Sequence, residues 1–401
     1  MREPLTPMAA YTIDVGDGHR WLDHPTQPHG WFAVAHVATR AAALPDAHRR
    51  GFLDALPDGL LPDADRRPTH VDHEAPAPAH PLAIIAERLR VAAEEMERDG
   101  CFELAYTTVS AAARLAARHD AAGTLSAANH LARIARQLGE TRVAEELYES
   151  VVREARQRGF PSVAGYALTG LGNLAIMRGN RPAQLAHYRE ALALAPEGTA
   201  LEAAAHWGLM NHALAMDSLA DALLHGWRAY DLADTDETRA GILSNLASVA
   251  FKAGFVEPAV AGYCGALLRA RPARLWLSIA AGAAESAGAA GRPDLLAEFE
   301  AEGRRRLSGA APFETAQWLL GLARGWRSAG GADAAERFAT ESRALALRHE
   351  FHEVAYRADA LLAPAPADPT DPGPAGAPVV NTAALPSATR IGLSRLRAMA
   401  V

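Results

Sequence analysis

Lysine is all but missing from this chain: Lys252 is the single one among 40 basic residues. Beside the excess of alanine, that reads as GC-rich coding bias and gives no ground for an arginine-dependent activity. Cysteine is scarce too. Cys101 and Cys264 stand far apart, without neighbours at metal-ligand or redox-motif spacing, so both are expected to be reduced core thiols. Aromatic residues make up 6% of the chain and apolar residues 49%, alanine foremost, a balance that favours closely packed helices over sheet. No stretch approaches the roughly eighteen uninterrupted apolar residues of a membrane span. Residues 1–15 carry charge and proline where a signal peptide needs an apolar run, so the expectation is a cytoplasmic protein without membrane contact. Positive charge is in deficit: the formal charge is −7, against the basic footprint that a general nucleic-acid surface needs. No His-Glu-x-x-His, G-x-S-x-G or phosphate loop occurs.

What the chain does have is a beat. Gly100, Gly139, Gly179, Gly254, Gly291 and Gly330 follow one another at intervals of 39, 40, 75, 37 and 39 residues, one of them a double step. Repeats of this size cannot close a core alone, so each stacks its apolar face on the next and the array presents a long surface. The fold class is therefore all-α, a solenoid of about seven antiparallel helix pairs, and its mode of action is binding. Pro81, Pro161, Pro272 and Pro312 stand where the first helix of a pair opens, and the glycines fall where that helix stops before its partner begins.

Four segments follow from composition. Residues 1–80 are rich in proline and hold eight of the sixteen histidines; they are expected to form an irregular extension. Within it, 11–15 and 20–22 suggest a small hairpin, 31–44 and 46–56 short helices, and 62–80 a disordered stretch. Residues 81–362 read helix, turn, helix, turn. Residues 363–386 form a linker rich in proline and alanine, and 387–401 a short basic amphipathic tail.

Three windows carry a resemblance. Residues 128–158 have Leu131, Ala132, Leu138, Gly139, Ala144 and Tyr148; residues 168–196 have Leu171, Gly172, Gly179, Tyr188, Ala191 and Pro196; residues 243–269 have Leu246, Ala247, Gly254, Ala259, Tyr263 and Ala266. This pattern resembles the tetratricopeptide repeat. Weaker units surround Gly100, Trp207 with Ala222 and Ala229, Gly291, and Gly330 with Ala335 and Phe338. The resemblance covers about 70% of the chain. It implies a right-handed superhelix in which small residues let helices approach and the tyrosine of the second helix fills the gap between neighbours. The period of 37–40 residues exceeds the family's roughly 34, which implies longer helices and a changed pitch.

In that architecture the first helix of each pair lines the concave groove. Read in register, the groove positions facing away from the second helix are Asn129, Arg133 and Arg136; then Tyr166, Thr169 and Asn173; then Trp207 and Asn211; then Ser244, Asn245, Ser248 and Lys252. A carboxamide both donates and accepts, so it can pair with any peptide unit, and arginine or lysine can clasp a carboxylate. The alternative is that these are only the solvated faces of amphipathic helices.

The function expected is a non-catalytic scaffold that holds an extended peptide or partner protein, with no cofactor, no metal and no direct nucleic-acid contact. A second possibility is a peptide-responsive regulator acting through a partner protein. DNA contact by residues 1–80 is disfavoured, because that segment carries seven basic and eleven acidic residues and no helix-turn-helix. A third is an enzyme working around Asp14, Asp17, His19 and Asp23. A metal at His70, Asp72, His73, Glu74 and His80 lacks fixed geometry, and His206 and His212, six apart, fall on different faces of one helix. Trp227, Trp276, Trp318 and Trp326 are expected to be packing residues. The tail 387–401 has three fates open: self-inhibition near Arg133 or Arg136, docking on another protein, or disorder. Oligomeric state is left open.

Overall fold

The computed structural model describes residues 81–98, 101–117, 119–307, 312–349, 351–363 and 385–400. The hairpin and short helices expected in 1–80, the turn at Gly100 and most of the linker lie outside them. The described residues fall into two compact units, divided between Leu147 and Tyr148. Among them every regular element is helical. In the first unit α1 (Pro81–Arg98) pairs with α2 (Phe102–Ala116), followed by α3 (Ala121–Gln137) and α4 (Thr141–Arg158), within which the units divide. The second unit continues with α5 (Pro161–Met177), α6 (Arg181–Leu194), α7 (Ala200–Ala215), α8 (Leu219–Leu232), α9 (Asp236–Lys252) and α10 (Val256–Leu267). Then come α11 (Ala273–Ala289), α12 (Pro293–Arg306), α13 (Pro312–Ser328), α14 (Ala332–Arg348), α15 (His352–Leu362) and α16 (Ser387–Arg397), with a short 3-10 turn, Ala398–Ala400. The seven pairs expected are all present, and α15 and α16 extend them.

The turns explain the beat. Gly139, Gly179, Gly254, Gly291 and Gly330 have φ between +66° and +87°, the left-handed region, and a side chain at any of them would meet nothing within 4 Å. Conformation alone selects glycine there. The N–H of the turn residue returns to a carbonyl three residues back and the next N–H to one five back: Gly179 to Ile176 at 3.0 Å, Asn180 to Ala175 at 2.9 Å. The five-back acceptor is a buried alanine in all but the last of these pairs: Ala135, Ala175, Ala213, Ala250, Ala287 and then Trp326. The double step between Gly179 and Gly254 is filled by Asp217, with φ +54°, whose neighbour Ser218 donates to Ala213 at 2.9 Å. The beat is unbroken; one of its turns is an aspartate, which tolerates this conformation better than most side chains.

Between pairs of the second unit, tyrosines lock into glycines. A Cβ on Gly170 would overlap the ring of Tyr148, one on Gly208 the ring of Tyr188, and one on Gly282 would lie 2.5 Å from the hydroxyl of Tyr263. Tyr188 is wedged between Gly172 of its own pair and Gly208 of the next, and is 1% exposed. At the α8–α9 junction the tyrosine position holds Gly226, which packs on Leu246, and the glycine position of α9 holds Asn245. Both partners change together. Successive first helices, α5, α7, α9, α11, α13 and α15, pack on one another, whereas successive second helices meet far less closely. The α12 and α14 helices, for example, are joined by the ion pairs Arg304–Glu341 (2.8 Å) and Arg337–Glu300 (3.3 Å). The second unit is therefore tighter along its first helices, which makes that the inner side. The tightest contact is between α11 and α13: at Gly288, Gly321 and Gly325 a Cβ would strike the facing backbone of Gly325, Ala281 and Ala284. Trp227, Trp276 and Trp318 are buried and Trp326 packs on the same core, as expected.

Two expectations change. Cys101 is exposed and so is not a core thiol, whereas Cys264 is half-buried and packs against the core; both are free. The C-terminal segment is an ordered helix, α16, seated on α8 and α10, the second-helix side of the second unit.

The turn geometry predicts that Gly179→Ala lowers stability by about 1 kcal/mol, whereas Asp217→Gly leaves it unchanged or raises it by up to about 1 kcal/mol. Chemical denaturation of the two variants checks this, and equal losses from both would contradict the turn assignment.

Candidate functional site

Six residues before each turn of the array stands a polar side chain: Arg133, Asn173, Asn211, Ser248, Glu285 and Arg324. The last two continue a stripe that the sequence reading ended at Lys252. Their signal was present in the spacing, but charged residues on a helix surface look alike until the register is fixed. In the second unit each member of the stripe has a partner. The Tyr188 hydroxyl donates to Asn173 Oδ1 at 2.8 Å, and the Tyr263 hydroxyl is hydrogen-bonded with Ser248. Burial pushes the Tyr263 phenol up to about 12, opposed by that hydrogen bond. Asn245 Nδ2 donates to Asn211 Oδ1 at 3.2 Å across successive first helices, and Arg324 donates to Glu285 at 3.3 Å across the next such step but one. Asn173 and Ser248 thus reach their own second helices instead of turning wholly away from them.

The remaining positions of the second unit are half-buried except for Lys252, which is exposed on the last turn of α9. The Thr169 hydroxyl returns to the Tyr166 carbonyl at 2.7 Å. Trp207 leans on α9, where a Cβ at Gly241 would come within 2.9 Å of its ring, and its buried indole N–H has no acceptor. Ser244 lies half-buried one residue before Asn245.

In the first unit α3 has a different character. Glu97 of α1 accepts from His130 Nε2 at 2.9 Å, from Arg133 Nη2 at 2.7 Å, and from Gln137. Burial alone would raise the Glu97 carboxyl, but the His130 hydrogen bond and the Arg133 charge outweigh it and hold it at about 2. Burial, with the Arg133 charge, pushes His130 down to about 4 against the pull of Glu97. His130 is therefore neutral with its proton on Nε2, and Nδ1 is buried without a partner. Arg133 is committed to Glu97 rather than open to a ligand carboxylate. Asn129 Oδ1 and Arg136 Nε are buried without hydrogen-bond partners.

One polar cluster was not read from the sequence. Glu202 of α7 accepts from Arg228 Nη2 at 2.8 Å and Gly198 N–H at 2.7 Å, and beside it His206 and His225 bring their Nδ1 atoms to 2.9 Å. His206 thus pairs across to α8, and His212 instead approaches Gln184 at 3.4 Å. Burial lowers the pKa of both paired histidines, and for His206 the His225 charge adds to it. Among the described residues no group of three or more His, Cys, Asp or Glu side chains is placed to hold a metal ion, and no helix is long and apolar enough to cross a membrane.

The paired helices, the left-handed turns and the tyrosines between repeats define a tetratricopeptide-like helical repeat. Solved structures similar to the chain include a tetratricopeptide repeat protein from Parabacteroides merdae, at 14% identity over 68% of this chain and 98% of that one, TM-score 0.41. Another is the APC/C hetero-tetramer Cut9–Hcn1, at 15% identity over 84% and 64%, TM-score 0.46. A third is the TPR2AB domain of yeast Sti1 in its pHSP90 complex, at 12% identity over 69% and 99%, TM-score 0.27. No family model matches the chain, and no curated protein does.

The Glu97 network sets a pH dependence. His130 is held at about 4 when folded against 6.5 ordinarily, so the unfolded chain binds the extra proton between those values and stability falls as the pH drops through them. Glu97, held at about 2 against 4.5, adds a further loss below about pH 4.5. His130→Gln is expected to flatten the upper part of that fall, read as denaturation midpoint against pH; an unchanged slope between pH 6.5 and 4 would count against the network.

Proposed function

We propose that the second unit is a non-catalytic scaffold that binds an extended peptide segment of a partner protein along its first helices. The observation that carries this reading is the fixed orientation of the three asparagines. Asn173 Oδ1 is taken by Tyr188 and Asn211 Oδ1 by Asn245, which leaves the amino groups of Asn173 and Asn211 and the carbonyl oxygen of Asn245 for a ligand. Side chains held this way lose little further entropy on binding, and together they offer donors and an acceptor to a peptide backbone whatever its side chains. Trp207 and Tyr166 supply aromatic surface, Thr169, Ser244 and Ser248 short polar contacts, and Lys252 the cation for an acidic side chain or a terminal carboxylate. In the first unit Asn129 and Arg136 carry groups of the same kind on α3, with the Asn129 Oδ1 and Arg136 Nε atoms buried and unpaired and Arg133 occupied by Glu97.

The test is selection of a random peptide library on the immobilised full chain, followed by affinity measurement on single variants and the double variant Asn211→Ala with Asn245→Ala. At about 1 kcal/mol per lost hydrogen bond, the double variant is expected to weaken the selected peptides about ten- to thirtyfold. Peptides that bind the double variant as tightly as the parent would overturn the assignment of the face.

A further inference from the structure

The C-terminal helix marks a second surface on the opposite side of the second unit. α16 lies between α8 and α10 and buries one stripe of its own, Thr389, Gly392, Leu393 and Leu396, while Ile391 on the other side is 62% exposed. Trp227 donates its indole N–H to the Gly392 carbonyl at 3.1 Å. The Arg395 guanidinium sits 3.9 Å above the Trp227 ring and pairs with Asp231 at 2.6 Å. On α10 the cleft is made by two glycines: a Cβ on Gly262 would lie 2.7 Å from Leu396, and one on Gly265 would lie 2.5 Å from the Met399 carbonyl oxygen.

The repeat architecture does not call for Gly265. Eleven residues past the turn, α4, α6, α8, α12 and α14 carry Ser150, Glu190, Arg228, Glu302 and Glu341, all polar, and α10 alone among these six leaves the position bare. The cleft is shaped for a helix laid across it. Its occupant is eleven residues long, too short to be stable as a helix by itself, and is joined to α15 only through residues 363–386. A covalent connection of 24 residues makes rebinding of a displaced helix an intramolecular event.

We propose that the cleft between α8 and α10 is a docking site for an amphipathic helix of a partner protein, and that α16 is its resident, displaceable ligand. The partner helix has the chemistry of the occupant: a small residue followed by leucine, a second leucine three residues on, and an arginine just before that leucine to cover Trp227 and meet Asp231. Recognition is helix-in-groove, with the apolar pair supplying contact area and the arginine the orientation. This site is on the second helices and is independent of the peptide face on the first helices.

The test uses a labelled peptide of residues 385–401 and two full-length chains, the parent and the double variant Leu393→Asp with Leu396→Asp, whose tail is released while α1 to α15 keep their sequence. Fluorescence anisotropy is expected to show the peptide binding the released chain at least tenfold more tightly than the parent. Equal binding to both, or binding to neither, overturns the proposal. Location is read by charge exchange: an Arg395→Glu peptide loses at least tenfold on the released chain and regains it when that chain also carries Asp231→Arg, and failure of the rescue rejects the cleft as the seat. Should the released chain not fold, amide exchange of residues 387–397 in the parent is followed as peptide is added. Faster exchange supports displacement, and unchanged exchange at millimolar peptide excludes it.

Discussion

The stack of the second unit depends on how closely one helix can approach the ring or backbone of its neighbour. Tyr148, Tyr188 and Tyr263 each stand over a glycine of the following first helix, and no side chain larger than hydrogen fits beneath them without displacing the ring. Packing interiors have no slack to absorb such a change. The junction between α8 and α9 shows the same constraint from the opposite direction. There the ring is gone, Gly226 takes its position, Leu246 fills the space, and Asn245 occupies what is otherwise a glycine position. The asparagine that links two first helices thus stands at the one of these junctions where the second helix carries glycine in the tyrosine position.

That coupling ties the candidate binding face to the core. Tyr188 fills the gap between repeats and its hydroxyl sets the direction of the Asn173 amide; Tyr263 and Ser248 repeat the arrangement two pairs later. A polar stripe anchored in this way serves two ends at once. It satisfies buried hydroxyls that would otherwise cost the fold, and it presents the remaining amide groups in one orientation. The first unit uses the same helix position differently, with Arg133 drawn to the buried Glu97 carboxylate beside a neutral His130.

Much of the architecture was legible in the sequence. Glycine is required where φ is positive, so the turns announced themselves, and the tyrosines of three repeats were visible because they recur at a fixed distance from those turns. The Asp217 turn was hidden because an aspartate can adopt the left-handed conformation and also stand on any helix surface. The glycines facing the tyrosines follow them by 19 to 22 residues, a relation that means nothing until the helices are stacked. Glu97 and His130 lie 33 residues apart, and Trp227 and Gly392 lie 165 apart, so no local pattern links either pair. The seat of the C-terminal helix was out of reach for that reason. The exposure of Cys101 was missed for another: a small apolar residue next to a helix start was taken for core when it is the residue that precedes α2.

The glycine seam between α11 and α13 has a mechanical consequence. Where two helices meet backbone to backbone at Gly288, Gly321 and Gly325, no layer of side chains remains to shear or to change rotamer, and the two behave as a welded plate. Between α5, α7 and α9 the helices are instead held apart by the Tyr188 ring and the Asn211–Asn245 pair. The seam therefore leaves α11 and α13 no room to slide on one another, and the two act as a single thick element within the stack.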